Sequence, residues 1–198
     1  EVVTRDVWTT NPGASFGRTG GTNTSGFELE ELNLVGTGAR ISFGYKSGVD
    51  RTAKLVVLSD RQLFGTWWGG DATYSDNSDG KRIEVDVDHP FYSLDTRWAT
   101  GISVRDDNRI DSRYDLGEVS DQYRTHAKLF SAYGGLSRGL QNGWVRRYTF
   151  GFTSDESRFE RVAGATPTRN LPGDRKLQYP WLGIDVIQDE FVETRNRD

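Results

Sequence analysis

The chain has 198 residues, of which 34% are hydrophobic and 27% charged, with 25 Lys and Arg against 29 Asp and Glu and a formal charge of −4. Near-balanced charge excludes the basic footprint of a nucleic-acid binder, and the absence of Cys excludes disulfides and thiolate chemistry. The longest aliphatic run, Leu55-Val56-Val57-Leu58, is far too short for a transmembrane helix. The mean hydropathy of −0.67 is that of a water-facing chain, yet a membrane wall built of strands needs apolar residues only at alternate positions. Met is also absent, so a processed or excised chain is expected.

Taken in order, ten extended segments are predicted, at about 13–20, 25–34, 39–47, 52–62, 67–75, 81–90, 96–105, 122–137, 143–157 and 177–191. Each is read from period-two alternation. Segment 13–20 is Gly-rich and weakly patterned. In 25–34, Phe27 and Leu29 oppose Glu28 and Glu30, and in 39–47 Ile41, Phe43 and Tyr45 oppose Arg40, Ser42, Gly44 and Lys46. Segment 52–62 is apolar on both faces in its middle, which leaves its orientation open.

The clearest pair is 81–90 and 96–105. Ile83, Val85 and Val87 oppose Arg82, Glu84, Asp86 and Asp88; Trp98, Thr100, Ile102 and Val104 oppose Arg97, Ala99, Gly101, Ser103 and Arg105. Further on, Tyr148, Phe150 and Phe152 oppose Arg147, Thr149 and Gly151, and Leu182, Ile184 and Val186 oppose Gly183 and Asp185. The best helical candidate, 122–140, is weakened by Gly134, Gly135 and Gly139.

The connections fall into two alternating classes. Those at 35–38, 64–66, 92–95 and 141–143 read as tight; those at 20–23, 47–51, 76–80, 106–121 and 164–175 read as polar and sometimes long. In a meander every second connection lies at the same end, so tight turns gather at one end and polar loops at the other. Membrane barrels show this asymmetry. Aromatic residues Phe64, Trp67, Trp68, Phe91, Tyr92, Trp98 and Trp144 gather near the turn end, where an interfacial girdle belongs.

The pattern predicts an all-β, antiparallel up-and-down meander, residues 1–198 forming one segment of a transmembrane β-barrel, with a soluble sandwich or a soluble ligand-binding barrel as the alternative. The strands exceed the usual 5–6 residues. If Arg82 or Glu84 faced lipid it would cost up to about 2–4 kcal/mol at mid-bilayer. Arg40, Lys46, Arg82, Glu84, Asp86, Arg97, Arg105 and Arg147 are therefore expected in a wet lumen. There they either set ion selectivity or fill space as cross-strand pairs.

No catalytic residue, cofactor or metal is expected. His89 and His126 lack a matched Ser and acidic partner. The acidic stretches at 71–79 and 106–121 depart from calcium-loop spacing and read as solvated loops.

At the level of residues the chain resembles the barrel of the BamA/TamA-type outer-membrane proteins, including members read as bacterial surface antigens. The resemblance is carried by Ser15-Phe16-Gly17, by Leu32-Asn33-Leu34-Val35-Gly36-Thr37-Gly38 and by Asp60-Arg61-Gln62-Leu63-Phe64-Gly65. It continues through Tyr74 to Lys81 and Pro90 to Ala99, and more loosely around Trp144 and at Tyr179-Pro180-Trp181-Leu182-Gly183. It implies a sixteen-stranded barrel in the bacterial outer membrane, in contact with lipid and lipopolysaccharide, of which these ten strands are the N-terminal side. The missing strands and the periplasmic POTRA domains would lie elsewhere in the full chain. It further implies a non-enzymatic role in inserting or translocating client polypeptides through a weakly paired seam. The seam strand would be Ser15, Phe16, Gly17, Arg18, Thr19 and Gly20. A passive pore or surface antigen is the second reading.

Overall fold

A computed structural model describes residues 8–49, 51–162 and 170–190. Ten antiparallel strands form one sheet in sequential order: β1 (Thr10–Thr19), β2 (Thr22–Glu31), β3 (Arg40–Ser47), β4 (Thr52–Asp60), β5 (Gly69–Asn77), β6 (Gly80–His89), β7 (Trp98–Asp115), β8 (Glu118–Gln141), β9 (Trp144–Arg161) and β10 (Arg175–Gln188). The only helical elements among the described residues are two three-residue 3₁₀ turns, and no helix is long and apolar enough to cross a membrane. The sheet is open: β1 and β10 each pair on one side. Phe191, expected in the last strand, lies outside the described residues, as do 163–169 within the connection expected at 164–175 and residue 50 within that expected at 47–51.

Directly opposite residues of an antiparallel pair share a face, so the register sorts the side chains. One face carries the pairs Phe43–Val56, Tyr74–Ile83, Val85–Val104, Ile102–Ala132 and Phe150–Leu182. This settles β4: Val56 and Leu58 belong to the apolar face, Leu55 and Val57 to the other. Among the described residues no second sheet or helix packs on this face; rings of the 61–68 and 90–97 connections lie on it at one end only. Ile83 is 52% exposed, Ile102 53% and Leu182 86%, and each strand's main contacts are with its immediate neighbours. The buried hydrophobic residues among those described are Ala39, Ala99 and Val145.

The apolar band runs obliquely across the sheet. Successive cross-strand partners of Phe27 on β2 are Tyr45, Lys54, Asp76 and Lys81. Those of Phe150 on β9 are Gly134, Thr100 and His89. Both rows end on β6, at Lys81 and His89, eight residues apart (89 − 81). Between β2 and β9, seven strands on, the band thus slides by about one residue per strand. With a rise of about 3.3 Å per residue and a strand spacing of about 4.8 Å, the strands lean about 35–40° from the band's normal.

Two expectations about the connections are corrected. Residues 106–121 are not a loop. β7 continues to Asp115 and β8 starts at Glu118, joined by a two-residue turn in which Leu116 (φ 50°) and Gly117 (φ 90°) are both left-handed, the backbone of a hairpin turn. This part of the hairpin is mostly polar on both faces, with Ile110 and Tyr114 isolated among charges, so no sustained alternation marks it.

The loop asymmetry also differs. At the end read as tight, residues 32–39, 61–68 and 90–97 are eight-residue connections and only Asn142-Gly143 is a two-residue turn. At the opposite end Gly20-Gly21, Ser78-Asp79 and Leu116-Gly117 are two-residue turns. What distinguishes that polar end is strand length: β7, β8 and β9 have 18, 24 and 18 residues.

Candidate functional site

The register places Arg40, Lys46, Arg82, Glu84, Asp86, Arg105 and Arg147 on the face opposite the apolar band. Arg97 lies in the 90–97 connection, its carbonyl accepting the Ser137 N–H at 2.8 Å. The charges pair along and across strands. Arg82 contacts Glu84, Arg105 reaches the same carboxylate at 3.9 Å, and Arg40 meets Glu30 at 3.5 Å.

Beyond the band, in the tall part of the sheet, Arg109 bridges Asp107 at 2.8 Å and Asp111 at 2.9 Å. Thr125 donates to Asp111 at 2.6 Å. Burial opposes the charge on Arg109, but the bond to Asp111 and the two flanking carboxylates outweigh it and raise its pKa above the ordinary arginine value. Arg113 pairs with Asp121 at 3.5 Å and lies over the Tyr123 ring at 4.9 Å. Asp107, Asp111 and Asp121 of the 106–121 stretch are thus paired strand residues, and among the described residues no three His, Asp or Glu side chains converge as metal ligands do.

Glycines on the polar face are covered by rings from neighbouring elements. A Cβ on Gly101 would strike the Tyr133 ring, one on Gly151 the Trp181 indole, and one on Gly135 the Phe91 ring at 2.8 Å. Tyr133 also donates to Asp88 at 3.3 Å, and the Trp181 N–H to Thr153 at 3.2 Å. In sequence these pairs are separated by tens of residues, so only the register brings them together.

At the turn end, aromatic residues meet around His89. Its ring stacks on Trp98 at 3.8 Å, with the edges of Trp68 at 5.7 Å and Tyr92 at 5.5 Å, and Trp67 stacks on Tyr92 at 4.3 Å. His89 is buried among these rings. Trp144 starts β9 away from this cluster, opposite Gln141. Phe91 is not with it either: it turns onto the polar face. His126 lies on the face of the apolar band but beyond it, opposite Asn108 and Arg158.

Phe64 occupies a turn that repeats an earlier one in the chain. Leu34-Val35-Gly36-Thr37 and Leu63-Phe64-Gly65-Thr66 share a three-residue 3₁₀ turn and part only at the closing Thr, helical at Thr37 (ψ −13°) and extended at Thr66 (ψ −178°). In each, the Thr hydroxyl donates to the Leu carbonyl at 2.7 Å, and the second residue is left-handed, Val35 at φ 52° and Phe64 at φ 55°. Both tips are almost fully exposed. The signal available was the spacing of two Leu-x-Gly-Thr sequences at the same end of a meander.

Ser15, Phe16, Gly17, Arg18 and Thr19 lie in β1, and Gly20 opens the following turn. β1 is exposed along its length and pairs only with β2, for example Ser15 opposite Gly26. Pro12 in β1 and Pro180 in β10 are the prolines found within described strands. Proline lacks a ladder donor and is confined to edges and bulges.

No protein-family model, no curated protein and no solved structure matches this chain. Its functional reading therefore stands on the geometry: an apolar face with no second layer packed on it, a charged face lined with ring-covered glycines, and two proline-bearing edges.

Proposed function

We propose that these ten strands are part of a transmembrane β-barrel of the bacterial outer membrane. In this reading it is of the BamA/TamA type and assists insertion or translocation of polypeptides without acting as an enzyme. The oblique apolar band carries this reading. A belt that must lie level in a bilayer while its strands tilt by about 35–45° has to slide across the register by about one residue per strand. The band does so from β2 to β9, with a height of about 20 Å from Trp98 to Val104 at 3.3 Å per residue, near the ~25 Å of such belts. A soluble sandwich gives its apolar face a second sheet to meet, and this face meets none.

The insertase role is supported by the character of β1. A glycine- and proline-bearing edge strand pairs weakly and offers backbone groups to an incoming strand. The charged inner face supports a second reading, a passive pore or surface antigen whose solute is sorted by lumen charge.

Locking separates the two. With Cys introduced at Ser15 and in the last strand of the full-length barrel, an oxidised crosslink should abolish client insertion and reverse on reduction. Unimpaired insertion with the seam locked leaves the pore reading. Full-length protein that stays soluble without detergent, and shows no heat-dependent shift in gel mobility, overturns both.

A further inference from the structure

The 90–97 connection joins β6 to β7, yet it is tied to β8 and β9. The Phe91 ring lies against the Cα of Gly135 on β8, at 2.8 Å from where a Cβ would stand. The Arg147 guanidinium of β9 covers the same ring at 4.8 Å and donates to the Ser93 carbonyl at 3.1 Å. The Asp95 carboxylate accepts the Leu140 N–H at 3.3 Å, beside the left-handed Gly139 where the β8 register shifts. Ser93 N–H donates to the hydroxyl of buried Thr96 at 3.0 Å, which holds the turn's own shape. Ala99 and Val145, two of the three buried hydrophobic residues among those described, share this face at this end of the sheet. The repeated turns at 34–37 and 63–66 are bonded only to their own flanks.

We propose that the 90–97 connection is a sill folded across the polar face and latched there by Arg147, which narrows the interior at the turn end. Arg147 is two strands from β7, so the segment reaches about 10 Å sideways at a spacing of about 4.8 Å per strand. The sill itself rests on the contacts above; the narrowing rests on the barrel reading of the previous subsection. A chain crossing the inner wall displaces water and sets the radius available to a solute or an extended peptide. Gly135 is what admits the ring, because any side chain there occupies its place.

The chain has no Cys, so a spin label at Ser93→Cys reports the segment's motion in the full-length protein. The label should be slow in the parent and fast in Arg147→Ala, Gly135→Val and Phe91→Ala. An unchanged line shape in all three overturns the latch. In planar bilayers, Phe91→Ala and Gly135→Val should raise the unitary conductance, whereas Val35→Ala, on a turn that does not cross the face, should not. Equal conductance in parent and variants overturns the narrowing. A label freed by the variants in a protein that never inserts into the bilayer sinks the barrel reading and the narrowing together, with the latch standing.

Discussion

Small residues on the polar face are sites of close approach. Gly101 lies under the Tyr133 ring and Gly151 under the Trp181 indole, cross-strand pairs in which an aromatic covers backbone that a side chain would otherwise shield. Gly101→Val should destabilise the full-length protein by about 1–3 kcal/mol through forced displacement of the ring, read as a lower urea midpoint; no change would mean the ring is free to move aside. The repeated turns give the opposite sign. Val35 and Phe64 stand in the left-handed region, which costs a residue with a Cβ about 1–2 kcal/mol. Phe64→Gly should therefore stabilise the protein by about 1 kcal/mol, read as a higher midpoint, and an unchanged or lowered midpoint would show that the exposed ring makes a compensating contact in the full protein. Arg105 and Glu84, partly exposed at 3.9 Å, belong with pairs worth at most about 1 kcal/mol.

Strands with one apolar and one charged face were legible residue by residue: Ile83, Val85 and Val87 against Arg82, Glu84 and Asp86 fall on opposite faces of β6 as alternation requires. β4 was not, because Leu55-Val56-Val57-Leu58 is apolar at every position and only its partners Ser75 and Tyr74 decide which side faces which way. The upper part of the β7–β8 hairpin looks like a loop in sequence for the converse reason. Asp106, Asp107, Asn108 and Arg109 are polar at every position, and what holds them extended is cross-strand bonding, Arg124 to Asn108 at 3.1 Å and Thr125 to Asp111 at 2.6 Å. An element prediction follows from this hairpin. It stands beyond its neighbour β6, whose pairing with β7 ends at Arg109, so an epitope inserted between Leu116 and Gly117 should be reached by antibody on intact cells. One inserted at Gly65, at the opposite end, should need permeabilised cells, and surface labelling of both would contradict the tilted-barrel orientation.

The whole sheet has no conventional core: its apolar face is open and its buried hydrophobic residues are few. Such a surface is stable only against an apolar medium or further protein. Val85→Arg and Ile102→Arg put a charge in mid-band and should cost about 2–4 kcal/mol of folding free energy in lipid vesicles. On a sheet facing water the same changes, at positions 41% and 53% exposed, should be nearly neutral, so a null result in vesicles would refute the membrane placement.

By itself, the sequence determined that the chain is a ten-strand antiparallel meander and which residues of the well-patterned strands share a face, because period two is a local property of the extended backbone. The tertiary structure decided the register. Register alone turns separate apolar stripes into an oblique band, carries Phe91 and Arg147 together from 56 residues apart (147 − 91), and leaves Pro12 and Pro180 on the two open edges. The physical reason is that alternation states which side a residue faces but not which residue stands beside it, and a sliding band, a covering ring and an unpaired edge are all relations between strands.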